Sequence, residues 1–215
     1  MSYTLYGQQG FGSTCVEAAL ELHGFKYDFE EADPLDGATG LAKVRSINPA
    51  GQVPVLILPN DDVMTESAAI LIYLGDLDGQ YRWAPRPDAP ERAEYLRWLI
   101  FMSSSFYSTF AISDGPGRFH PDAATHKTLL HQANERRKQM WRVIDAAFKG
   151  APGPYMLGNA MSLLDVYVAM MSHWDPRGGW FLENCHNLAG AVRATEKNPV
   201  LREVWRRNFD LELEA

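Results

Sequence analysis

The stretch Asn48–Tyr73, NPAGQVPVLILPNDDVMTESAAILIY, carries the densest local information in the chain. Val55-Leu56-Ile57-Leu58 is a short apolar run of strand composition with Pro54 directly before it, and proline enters a sheet only at an edge or as a strand's first residue. A strand is therefore expected to start at Pro54, with Val53 held extended by the ring that follows it. A cis Val53-Pro54 bond would turn the chain sharply and leave the amide and carbonyl of Val53 open to pair with an extended peptide. Val63-Met64 reads as a second short strand, and Thr65-Glu66-Ser67 opens a helix with Ile70, Leu71 and Leu74 on one face. The free N–H groups of that helix form an anion site.

Unpaired backbone at Val53 beside a helix start carrying Glu66 and Ser67 suits a ligand that is peptide in the middle and an α-amino acid at one end. Glu66 could take the ammonium, and Ser67 with the helix N–H groups could take the carboxylate. The plainer alternative is that Glu66 complements the helix dipole and Ser67 caps. The order of the signals separates these readings. Gln52-Val53-Pro54-Val55-Leu56 followed by Thr65-Glu66-Ser67-Ala68-Ala69-Ile70 resembles the glutathione site of the cytosolic, bacterial-type glutathione S-transferases.

Towards the N-terminus, Thr4-Leu5-Tyr6 is a short strand ending in Gly7-Gln8-Gln9-Gly10-Phe11-Gly12, whose glycines let backbone approach a ligand closely. Their spacing is not that of a dinucleotide fingerprint. Ser13-Thr14 begins a helix ended by Gly24. Phe25, Tyr27 and Phe29 alternate with charged residues as a strand with one buried face. Leu41–Ile47 reads as a short helix. The order β-α-β-α-β-β-α is that of an α/β thioredoxin-like domain, expected over residues 1–79. Three prolines between Arg82 and Pro90 mark residues 80–90 as a linker.

Residues 91–215 are expected to form an all-α helical domain. Tyr95, Trp98, Leu99 and Met102 repeat at helical spacing up to Gly115-Pro116-Gly117, which must break the helix. A second helix runs from about Pro121 to Phe148, and a short last one starts near Pro199. Ser162 followed by Asp165 reads as a capping box, with Met161 and Val166 as a hydrophobic staple, opening a helix that is apolar almost all round from Leu163 to Trp174. Asp165 is thereby a folding residue.

At 215 residues, 46% hydrophobic and 22% charged, the chain reads as globular. Its net charge of −7 argues against nucleic acid or an anionic membrane as the main partner. Cys15 and Cys185 lack disulfide or zinc spacing, and His126 and His131 sit on different helix faces, so no metal is indicated. With no leader-like start and no run of roughly 18 apolar residues, a cytoplasmic location is expected.

The resemblance spans nearly the whole chain, through the first-strand loop, the QVP and ES motifs, the linker and the SLLD box in the family's order. It implies glutathione as co-substrate, held by Gln52, Val53, Pro54, Glu66 and Ser67. It also implies an apolar electrophile between the domains, against Phe106, Tyr107 and Phe110, a detoxifying conjugation reaction, and usually a homodimer. The rival class is a non-catalytic glutathione-binding or regulatory protein on the same scaffold.

Where many family members put a serine or cysteine before the first helix, this chain has Gly10-Phe11-Gly12. The catalytic candidates are then Ser13 first, Tyr6 at the position of the family's catalytic tyrosine second, and Tyr107 third. Ser13 reads equally as an N-cap, and Cys15 as a small buried apolar residue.

Overall fold

The computed structural model describes residues 2–77, 79–176 and 178–209. Residue 1 and residues 210–215, the outer ends of the two expected domains, lie outside that description.

Four strands, β1 (Tyr3–Gly7), β2 (Tyr27–Glu31), β3 (Val55–Ile57) and β4 (Val63–Met64), form one sheet in the order β2-β1-β3-β4. β1 pairs parallel to β2 and antiparallel to β3, with Tyr6 opposite Val55, and β4 closes the sheet antiparallel to β3. Three helices complete the unit: α1 (Ser13–His23), α2 (Gly37–Ile47) and α3 (Ser67–Leu77). α1 and α3 pack together over Leu5 and Leu56, and the αL residue Gly24 ends α1 as the sequence requires. This is the thioredoxin-like arrangement.

Two local expectations change. β2 is an edge strand whose expected inner face is largely uncovered, with Phe29 37% exposed, because the alternating pattern reports pleat and not whether a layer lies above it. α2 begins four residues before Leu41 yet buries only Val44.

The rest of the described chain is helical. α4 (Arg92–Ile100) continues through a π-helical segment, Phe101–Phe106, into α5 (Ser108–Asp114), and Gly115 with a 3₁₀ turn at Pro116–Arg118 stops the run. α6 (Ala123–Ala147) starts on Asp122, whose carboxylate accepts from Ala124 N. α7 (Leu163–Ser172) is buried at every position and packs against α1, α4 and α9. α8 (Gly178–Asn184), α9 (His186–Glu196) and α10 (Arg202–Phe209) follow. The capping box is present: Asp165 accepts from Ser162 N, Ser162 Oγ and Met156 N, each at 2.8 Å.

Polar contacts lock the helical part to the sheet part. Arg92 grips Asp76 through two 2.8 Å bonds, Trp83 Nε1 donates to Leu22 O, and Trp83 O accepts from Leu163 N. α10 closes over the β1–α1 loop, where Asn208 Oδ1 accepts from Gly10 N and Thr14 Oγ1, and Trp174, just past α7, donates from Nε1 to Gly10 O. Among the described residues, no helix is long and apolar enough to cross a membrane, and no cluster of His, Cys, Asp and Glu could hold a metal ion.

Candidate active site

A cleft of about 710 Å³ lies between the sheet unit and the helices. Its sheet-side wall begins with the turn before β3. Asn48 is 8% exposed, and its side chain organises that turn, with Nδ2 donating to Gln52 O and Oδ1 accepting from Ala50 N. The Val53-Pro54 bond is cis, and Val53 stands beyond the β1–β3 pairing, which ends at Tyr6 and Val55. Gln52, Val53 and Pro54 all line the cleft, joined by Arg45 and Leu41 from α2.

Glu66 and Ser67 follow along the same wall. Glu66 is a non-glycine residue at φ +67°, and its carbonyl accepts from Ile70 N at the start of α3. A left-handed backbone at a glutamate is sterically costly, and such residues persist where the surroundings over-determine them, commonly at ligand sites. Ser67 is the first residue of α3, and its Oγ lies 2.8 Å from the hydroxyl of Tyr167 on α7.

The opposite wall is helical. The buried stripe Tyr95, Trp98, Leu99 and Met102 continues by fours to Phe106 and Phe110, which therefore face the core. Phe106 is wholly buried in edge contact with Trp141, and Phe110 packs on Trp174 beneath the guanidinium of Arg137. Neither is part of the cleft lining. The neighbouring stripe, Ser103, Tyr107, Ala111 and Asp114, faces the cleft with Ser108 and Arg118. That wall is polar where an apolar one was expected, and the stripe's own period was the signal that could have assigned it. Burial pushes the Asp114 carboxyl above its usual range, against the pull of Arg118 and Arg137.

The three catalytic candidates separate. Ser13 is fully buried, and its hydroxyl is spent within the β1–α1 loop, donating to Gln8 O at 2.9 Å and accepting from Gln8 N at 3.2 Å. It is not the N-cap, which is Gly12. Tyr6 sits on the sheet face opposite Leu5 and is not part of the lining. Tyr107 lines the cleft, with its hydroxyl against the N-terminus of α1: a Cβ on Gly12 would lie 2.7 Å from the phenol oxygen. Gly12 is thus glycine to admit this side chain. Burial raises the Tyr107 pKa, hydrogen bonding from the Gly12 backbone opposes it, and the phenol stays protonated. Cys15 below is fully buried, donates to Gly12 O and has its thiol pKa raised by burial.

The profile of the glutathione S-transferase N-terminal domain matches residues 13–77. The GST-like protein YncG of Escherichia coli (strain K12) is 33% identical, over 95% of this chain and 97% of its own. The chain belongs to the glutathione S-transferase family. A zeta-class glutathione S-transferase of Euphorbia esula is 39% identical over 76% of this chain and 72% of its own length. Among solved structures, a glutathione transferase homologue from Sulfitobacter, with bound glutathione, superimposes with a TM-score of 0.83 at 22% identity, covering 94% of this chain and 96% of that one. Arg45, Asn48, Ser103, Ser108, Asp114, Arg118 and Tyr167 are polar cleft residues that the sequence motifs did not single out. They come from α2, the turn that follows it, the helical wall and α7, outside the QVP and ES signals.

Proposed function

We propose that the protein is a glutathione transferase in which Tyr107, and not Ser13 or Tyr6, stabilises the glutathione thiolate. Glutathione's ends match the sheet-side wall. Glu66 takes the γ-glutamyl ammonium, Ser67 and the α3 N–H groups take its carboxylate, and the Val53 backbone pairs with the cysteinyl residue beside Gln52 and Pro54. Arg45 takes the glycyl carboxylate. The observation that carries the catalytic assignment is the Tyr107 hydroxyl lying against Gly12 at the start of α1. There a protonated phenol and the helix N-terminus face one sulfur, which is the electrostatic stabilisation a thiolate needs.

The co-substrate is a polar electrophile, in keeping with Ser103, Ser108, Asp114 and Arg118 on the helical wall. The chain divides into a glutathione-binding domain over 1–79, a linker over 80–90 and a helical domain over 91–215. It works as a cytoplasmic homodimer, and Val63, Leu77 and Ile100 on β4, α3 and α4, 40–55% exposed, supply apolar surface for that contact.

The test is thiolate absorbance of the glutathione complex against pH for Tyr107→Phe, Ser13→Ala and Tyr6→Phe. A free thiol ionises near pH 8.5. Tyr107→Phe is expected to move the bound thiol towards that value and to lower kcat/KM by about 10²-fold, with the other two variants little changed. An unshifted curve for Tyr107→Phe removes it from the role. Tight glutathione binding without turnover of any electrophile or peroxide favours the non-catalytic reading.

A further inference from the structure

We infer that Tyr167, a helical-domain residue 100 positions from Ser67, is a positioning residue that sets the hydrogen-bond direction of the γ-glutamyl carboxylate site. The inference rests on the glutathione reading of the cleft. Tyr167 is fully buried on α7, a helix buried along its whole length, so its ring has no freedom to leave. Its hydroxyl meets Ser67 Oγ at 2.8 Å, and both residues edge the cleft.

By geometry alone either oxygen could donate. The two arrangements differ in what they leave unmade. If Ser67 donates to the phenol, the serine has no proton left for a carboxylate arriving at α3. If the phenol donates to Ser67, the serine O–H is free to turn outward and donate to the ligand. The second arrangement uses every donor once, in the chain phenol O–H to serine O–H to carboxylate, and such chains strengthen along their length in a low-dielectric setting. Burial raises the Tyr167 pKa well above that of a free phenol, against the opposing pull of the Ser67 hydrogen bond, so the phenol keeps a proton it can donate. The helical domain thereby takes part, through Ser67, in recognising the γ-glutamyl end of glutathione. Ser67 is 8% exposed and lines the cleft at the start of α3.

The experiment is a ligand cycle by calorimetric titration, using glutathione and 4-aminobutanoyl-Cys-Gly, which lacks only the γ-glutamyl α-carboxylate. Tyr167→Phe is expected to weaken glutathione by about three- to tenfold, the range of one neutral hydrogen bond, and to leave the analogue's affinity unchanged. Ser67→Ala should erase the difference between Tyr167 and Tyr167→Phe, because the carboxylate then has no serine to be polarised. Unchanged glutathione affinity in Tyr167→Phe overturns the inference. An equal loss for both ligands also overturns it, since that is a packing effect. If Tyr167→Phe does not fold, the parent and Ser67→Ala still decide: equal discrimination between the two ligands by both proteins overturns the role. A parent that binds neither ligand fails earlier, at the functional reading itself, and takes this inference with it.

Discussion

Glu66 separates binding from stability in a way that one pair of substitutions can test. Its backbone is held at φ +67°, a conformation that costs an L-residue roughly 1–2 kcal/mol and costs glycine nothing sterically. Glu66→Ala removes the carboxylate and keeps that strain. Glu66→Gly removes both, but gives the unfolded chain extra freedom worth about 0.4–1 kcal/mol. Taken at mid-range, the difference leaves Glu66→Gly more stable than Glu66→Ala by about 0.8 kcal/mol, or roughly 2–3 °C in melting temperature for a chain of this size. Both variants lose the partner of the ligand ammonium, a charge-assisted bond of about 1.5–3 kcal/mol, so glutathione affinity should fall roughly ten- to a hundredfold in each. Thermal melting and calorimetric titration of the three proteins give both quantities. Glu66→Gly melting at or below Glu66→Ala would refute the strain argument, and parental affinity in either variant would refute the role of the carboxylate.

Other substitutions probe the remaining parts of the site and fold. Gly12→Ala places a methyl 2.7 Å from the Tyr107 oxygen, so it should lower kcat/KM about as much as Tyr107→Phe, and the double variant should lose little more. Additive losses in that kinetic comparison would mean the two residues act separately. Arg45→Ala should weaken glutathione by about tenfold but leave γ-Glu-Cys, which lacks the glycyl carboxylate, unaffected. Equal weakening of both peptides by titration counts against the assignment. Asp165→Ala strips the acceptor from Met156 N, Ser162 N and Ser162 Oγ and should cost about 2–4 kcal/mol in urea unfolding, whereas a loss under ~0.5 kcal/mol would mean the box is dispensable. Burial raises the thiol of Cys15 and pushes that of Cys185 up to about 12, so both stay protonated in the folded protein. Their contribution to stability is complete below pH about 8.5, where the unfolded thiols are also neutral, and is lost as the pH rises towards 12. Thiol reagents at pH 8 should label neither cysteine until denaturant is added, and rapid labelling of the native protein would contradict the burial.

The parts of this protein legible in its sequence are those whose causes lie within a few residues of one another. A proline before an apolar run placed β3 and the cis turn at Val53-Pro54. The serine and aspartate three apart marked the start of α7, and Gly24 marked the end of α1. Even the core position of Phe106 and Phe110 was present in the four-residue spacing from Met102. The thiolate donor and the support of Ser67 were not legible in this way. Ser13 was the nearest hydroxyl in the chain, but its geometry turns it into the loop against Gln8. Tyr107 arrives from a helix more than 90 residues away to fill the space above Gly12, and Tyr167 reaches Ser67 across 100 residues. Local sequence chooses the backbone path and the face each side chain is on, through sterics and period. Which hydroxyl ends beside which depends on how the helical run through Tyr107 and the helix α7 are placed against the starts of α1 and α3, and that is set by the shared core of the whole fold.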